Sequence, residues 1–185
     1  MNVSLIPNVR MNVDEFLAWS ERQPDDRYEL VDGEIVAMTR DRAGHNRTKG
    51  AAYVALRDAV RAAALPCEVF IDGMAVAINE NTVRIPDVIV QCGAELDSTA
   101  LVTDLPVIVV EVVSPSSERD DIDTKFMDYF SVTSIRHYLV LFSERRAVVH
   151  HRRNERGVIE SRIMKDGEVA LDPPSLSVSV AALLG

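Results

Sequence analysis

The chain has 185 residues, 47% of them apolar, and a formal charge of −9 at pH 7, a composition that supports one globular core and excludes a disordered, collagen-like or coiled-coil chain. Non-specific nucleic-acid affinity comes mainly from neutralising phosphates with Lys and Arg, so the negative balance argues against a sequence-independent nucleic-acid coat. No stretch approaches the ~18 apolar residues of a membrane span, since even Pro106 to Val113 is broken by Glu111, and with no basic-then-apolar leader the expectation is a cytoplasmic chain without a membrane partner.

In chain order, Asn12 is placed to cap a helix running to about Glu21. Tyr28–Val31 and Glu34–Met38 flank Asp32-Gly33, a strong hairpin signal. An Ala-rich, proline-free run from Gly44 to Leu65 predicts a long helix stopped by Pro66. Strands follow at Glu68–Ile71, Met74–Ile78 and Thr82–Val90, the last interrupted at Pro86. Pro106 to Val113 is apolar on both faces and reads as the middle of the sheet. Ser114-Pro115-Ser116-Ser117 breaks it and supplies the cap of a second helix ending near Phe130. Arg136–Phe142, Ala147–Arg152, Val158–Ile163 and Glu168–Leu171 complete the strands. The sum is one α/β domain over residues 1–185: a central mixed β-sheet flanked by two main helices, preceded by a helix and a hairpin. Cys67 and Cys92, far apart and in no C-x-x-C pairing, read as reduced thiols.

Several residues do not fit a plain core. Alternation puts Glu111 on one face of its strand with Val107, Val109 and Val113. An unpaired buried carboxylate costs several kcal/mol, so Glu111 needs a cation, strong donors or the solvated end of the sheet. Asp87, between Pro86 and the apolar Val88-Ile89-Val90, poses the same question. If both project from one end of the sheet, their oxygens suit a hard divalent cation such as Mg²⁺ or Mn²⁺. On the second helix, Lys125 flanks the stripe Ile122, Phe126, Tyr129 and Phe130 and leans toward the sheet; it is one of three Lys in a chain whose other 17 basic residues are Arg. The plain alternative is a surface pair with Asp121.

His45 and Lys49 begin the apolar stripe of the first long helix, at an N-terminus that favours anions. They can meet a phosphate there, or His45 can simply cap the helix. Glu29 and Glu34, on the hairpin arms, are each able to supply a third carboxylate or to lie solvated. Arg40 to Arg61 carries six bases against two acids, and Glu144 to Arg156 five against two. These are two local basic segments for a phosphate-facing surface, or two solvated faces.

Tyr28-Glu29-Leu30-Val31-Asp32-Gly33-Glu34, His45, Pro86-Asp87-Val88 and Val110-Glu111-Val112-Val113-Ser114-Pro115-Ser116, followed by Asp121, Lys125 and Tyr129, together resemble the Uma family of restriction endonucleases within the PD-(D/E)xK nuclease superfamily. The resemblance implies a restriction endonuclease-like core in which Asp87 and Glu111 bind the metal. Where the superfamily carries Lys this chain has Val113, and Lys125 on the next helix stands in the matching place; Glu29 and His45 complete the site. After Tyr129 the resemblance weakens.

The implied activity is metal-dependent endonucleolytic hydrolysis of nucleic-acid phosphodiesters, with DNA the expected substrate and a 5′-phosphate and 3′-hydroxyl as ends. Mg²⁺ or Mn²⁺ would sit on Asp87, Glu111 and the Val112 carbonyl, with Glu29 holding a second ion or ordering water. Lys125 would orient the attacking water, and His45 with Lys49 would grip the phosphate or assist the leaving group. A homodimer would place two sites on a duplex. The alternative is a non-catalytic nucleic-acid-binding or assembly module retaining the nuclease fold.

Overall fold

The computed structural model describes residues 9–23, 27–113 and 119–185, the side chains of 119–121 excepted. Helix α1 (Val13–Ser20) starts where expected because Asn12 and Glu15 form a reciprocal capping box, each side chain accepting from the other's backbone N–H at 2.9 Å. Strands β1 (Tyr28–Val31) and β2 (Glu34–Ala37) pair antiparallel around Asp32-Gly33. Both turn residues have positive φ, 50° and 82°, the geometry that matches the twist of a two-residue hairpin. Helix α2 (Ala43–Ala62) follows.

Next come β3 (Cys67–Ile71), β4 (Val76–Asn79), β5 (Thr82–Arg84), β6 (Val88–Cys92) and β7 (Pro106–Val113). Helix α3 (Arg119–Ser131) precedes β8 (His137–Phe142), β9 (Ala147–Arg153), β10 (Ile159–Met164) and β11 (Glu168–Leu171). The chain then adds β12 (Leu176–Ser179) and α4 (Val180–Leu184). The expected Ser114–Ser117 cap and the side chain of Asp121 lie outside the described residues.

A six-stranded sheet of order β10-β9-β8-β7-β6-β3 is mixed, since β7 and β8 run parallel and its other pairs antiparallel. β7 is interior to it, and both its faces are covered. Ile108, Val110 and Val112 pack with Ala52, Leu56 and Val60 of α2 and Leu183 of α4. Val109 packs with Tyr129 of α3 and with Tyr138 and Val140. This double burial is why the strand reads apolar at every position but one.

The single expected sheet is in fact joined by a second, β2-β1-β5-β4, and by the ribbon β11-β12. The chain crosses between the two main sheets three times, first through α2 from β2 to β3. Asp72-Gly73 carries the same positive-φ pair as the hairpin turn, 53° and 75°, yet leads from β3 in one sheet to β4 in the other. Pro86, which has no N–H for a ladder, separates β5 from β6 and sends the strand expected at Thr82–Val90 into two sheets. Asp87 stands at that crossing. Strand β11 lies where the sequence predicts it, whereas β12 and α4 are additions to that reading, although Leu176, Val178 and Val180 alternate with serines in a clean two-residue period.

The cysteine reading needs correction: Cys67 and Cys92 form a disulfide. They are 25 positions apart, but the antiparallel β3–β6 register sets them directly opposite one another. Sequence spacing cannot show a register.

His137 and His150 are buried neighbours on β8 and β9 with ring nitrogens 2.9 Å apart; His137 Nε2 lies 3.0 Å from Pro173 O. Burial, then the charge of His150, pushes His137 down to about 4; burial, then Arg152, does the same to His150. Between pH 6.5 and 4 the unfolded chain binds protons that the folded chain refuses, so stability falls as pH falls through that window. At ~1.36 kcal/mol per pKa unit, one such imidazole accounts for about 3 kcal/mol of acid destabilisation. Urea unfolding from pH 7 to 4 is expected to show it, and the double variant His137→Phe/His150→Phe to flatten the slope.

Candidate active site

A cleft of about 250 Å³ opens at the crossing between the two sheets. Glu29, His45, Asp87, Glu111, Val112 and Lys125 all line it, together with Asp41. Six residues drawn from β1, α2, β7, α3 and the position just before β6 therefore line one cleft. Glu34 is exposed and pairs with Arg10 at 3.5 Å across the surface.

Asp87 is held from three sides. His45 Nε2 lies 2.9 Å and Lys49 Nζ 3.1 Å from its Oδ1, and the Val112 N–H donates to its Oδ2 at 2.7 Å. Burial alone would raise this carboxyl, but His45, the Val112 N–H and Lys49 together hold it below the usual carboxylate range. Glu111 has a different environment. Tyr129 donates its hydroxyl to Glu111 Oε1 at 2.6 Å, and Lys125 Nζ reaches the same oxygen at 3.1 Å. Burial nevertheless pushes Glu111 up to about 7, with Asp87 and Glu29 adding to the rise and Lys125 opposing it. Two neighbouring carboxyls thus have widely separated proton affinities, a pattern that environments tuned for chemistry produce.

Glu29 is fixed by Arg84 and the Ile85 N–H. Arg84 donates to its Oε2 at 2.9 Å while gripping Asp128 of α3 at 2.6 Å, and the Ile85 amide donates to Oε1 at 3.1 Å. Arg84 thereby ties the small sheet to α3. Lys125 Nζ lies 3.6 Å from Glu29 as well as 3.1 Å from Glu111, so its ammonium stands between the two acids. Val113 lines the same cleft.

Lys49 is only 1% exposed, and three carboxylates surround its ammonium: Asp41 at 2.5 Å, Asp72 at 2.8 Å and Asp87 at 3.1 Å. An ammonium has three donors, so this arrangement leaves none for the phosphate that the sequence pattern suggested. Burial depresses Lys49, but its partners outweigh burial and raise it. His45 is likewise raised, burial being overcome by the hydrogen bond and charge of Asp87 and by Asp41. Asp41 is lowered despite burial, chiefly by Lys49 and His45, and Arg27 reaches both Asp72 at 2.5 Å and Asp41 at 3.3 Å.

Sequence reasoning missed Asp41, Asp72, Arg27 and Arg84. Asp41 sits one helical turn before His45, a spacing that was legible. Asp72 looked like a turn residue and nothing else. The second basic segment also changes character. Arg146 donates to Gly185 O at 2.7 Å, Arg152 to Asp172 O at 3.3 Å and Arg153 to Phe130 O, so these guanidinium groups hold the fold. Arg40, Arg42 and Arg47 of the first segment are exposed beside the cleft residues Thr39, Asp41 and His45.

The donor chemistry fits a hard divalent ion. Asp41, His45 and Asp87 each offer a ligand atom within 4.8 Å of the others, and Glu111 and Glu29 add carboxylates on the same cleft. Lys49 already neutralises the side shared by Asp41 and Asp87. With His45 and Lys49 both on Oδ1, the second lone pair of Asp87 Oδ2 remains as an acceptor.

The family model described as "Putative restriction endonuclease" (Uma2) matches residues 13–183. The "Uncharacterized protein slr1290" of Synechocystis sp. (strain ATCC 27184 / PCC 6803 / Kazusa) is 30% identical over 162 residues, covering 82% of this chain and 78% of that protein. A crystal structure described as a putative nuclease belonging to DUF820, from Anabaena variabilis ATCC 29413, superposes with a TM-score of 0.72 at 16% identity, covering 94% of this chain and 97% of that one.

Proposed function

The chain belongs to the Uma2 family, and from that premise we propose that it is a divalent-metal-dependent endonuclease that hydrolyses DNA phosphodiester bonds. The observation that carries the reading is the meeting of Glu29, Asp87, Glu111 and Lys125 on one cleft, although they are scattered over about half the chain. Asp87 and Glu111, with the Val112 carbonyl, would hold Mg²⁺ or Mn²⁺. The bound ion supplies Lewis-acid polarisation of a phosphoryl oxygen and a lowered pKa for water.

The protein's own groups do the rest. The Val112 N–H and His45 fix the Asp87 carboxylate in its ionised form. Tyr129 and Lys125 orient Glu111, and Arg84 with the Ile85 amide orients Glu29. Lys125, between two acids, places a compact ammonium where it can direct an attacking water and balance charge developing on the phosphoryl oxygens. His45, whose proton affinity Asp87 and Asp41 raise against the effect of burial, donates toward the leaving oxygen when it carries the proton. The exposed Arg40, Arg42 and Arg47 receive flanking phosphates in a chain that is otherwise acidic.

The test combines calorimetric titration with Mn²⁺ and incubation with supercoiled plasmid, single-stranded DNA and RNA. Cleavage that requires Mg²⁺ or Mn²⁺, stops with EDTA and is lost in Lys125→Ala is the expected result. Metal binding and DNA retention with no cut in any substrate would instead identify a non-catalytic module.

A further inference from the structure

Strand β10 ends the six-stranded sheet, and its outer edge has no partner strand among the described residues. Its middle residues, Glu160 to Ile163, are exposed, Ile163 to 75%. Sheet edges in stable monomers are usually kept short, charged, bulged or covered. β10 is six residues long and pairs with β9 in continuous register.

The phase of its hydrogen bonding follows from two contacts. Asn154 N donates to Val158 O at 2.9 Å across the β9–β10 turn, while Arg153 N donates to Arg136 O on the opposite side. Hydrogen-bonded and non-hydrogen-bonded pairs alternate along an antiparallel ladder. Glu160, Arg162 and Met164 therefore bond β9 through their partners Arg152, His150 and Val148. Ile159, Ser161 and Ile163 turn their N–H and C=O groups outward.

We propose that this edge is the self-association surface of the protein, two copies pairing antiparallel about a two-fold axis at Ser161. In that register Ser161 meets Ser161 of the second copy, and the outward amides and carbonyls of Ile159 and Ile163 meet those of Ile163 and Ile159. The side chains agree with the backbone. The exposed Ile163 faces the half-buried Ile159 of the other copy, and each Glu160 faces an Arg162, so both charges on the strand meet an opposite sign. Moving the axis to position 160 or 162 sets Glu against Glu or Arg against Arg, and moving it to 159 sets Arg162 against Arg156. The self-complementarity selects one register, and a two-fold axis uses the same patch on both copies. This inference does not depend on the nuclease reading.

Sedimentation velocity over a micromolar concentration series tests it. The expected result is a species of twice the 20.5 kDa chain mass that gives way to single chains on dilution. Ser161→Pro removes an outward N–H at a position where an edge strand tolerates proline, and is expected to leave only single chains with an unchanged circular dichroism spectrum. Arg162→Glu replaces both attractive pairs by repulsive ones and should weaken association about tenfold, and adding Glu160→Arg should restore it. A wild-type chain that stays at its own mass throughout, a Ser161→Pro chain that folds and still dimerises, or a charge swap that fails to restore association would each overturn the proposal. Should Ser161→Pro fail to fold, the two charge variants, on exposed side chains, decide the matter.

Discussion

Asp87→Asn is expected to reduce metal-dependent cleavage by at least about a hundredfold, because loss of a mere outer partner of a metal ligand already costs 10- to 100-fold and a direct ligand should cost no less. The substitution keeps the shape and one acceptor oxygen. What it removes is the charge that the Val112 N–H, His45 and Lys49 jointly hold in the ionised state. The fold should survive, because Lys49 retains Asp41 and Asp72 as partners, with a stability loss of about 1–3 kcal/mol from the mismatched hydrogen bonds. Paired measurements separate the effects: plasmid cleavage rate and Mn²⁺ affinity on one side, urea midpoint on the other. Glu111→Gln should resemble it in activity. Near-wild-type cleavage by either folded variant would remove the carboxylate pair from the mechanism.

Lys49→Met is expected to give the largest stability loss, about 3–5 kcal/mol, the range measured when one partner of a buried ion pair is deleted. Met preserves the volume, so little of the effect would come from a cavity. Among the described residues, the three carboxylates that now share one ammonium would keep Arg27 and His45 as their cationic partners, with the Val112 N–H still on Asp87. Asp72 is 40% exposed at its side chain and can be resolvated, which places the expected value toward the lower end. For a chain of this size, 3–5 kcal/mol corresponds to a fall in Tm of roughly 6–20 °C. Adding Mn²⁺ should recover part of it, since a divalent ion near Asp87 replaces the lost charge and binds only the folded chain. A loss under ~1 kcal/mol would mean that these acids are already solvated and that Lys49 does not organise them.

The contrast between two Asp-Gly pairs shows how far the chain can be read in advance. Asp32-Gly33 and Asp72-Gly73 have the same local chemistry, and in both pairs each residue takes a positive φ. The first closes a hairpin; the second passes between sheets and delivers Asp72 to Lys49 and Arg27. Turn chemistry specifies the bend but not the partner reached after it. Arg84 gives the same lesson. In sequence it is a charge at the end of a strand, and in the fold it joins Glu29 of β1 to Asp128 of α3.

The ends of α1 and β1, the long α2, the interior strand β7 and the anomaly of acids within apolar strands are all legible in the residue pattern. Each of these follows from contacts within a few residues, where the periods of helix and strand and the demands of capping act directly. Long-range packing is what divides the strands between two main sheets and a ribbon, brings Cys67 to Cys92 and sets Lys49 among three carboxylates. The reason is that a charge or a thiol looks the same in sequence whether it faces water or a partner, and the partner is chosen by strand register and sheet crossing, quantities fixed by packing over long separations.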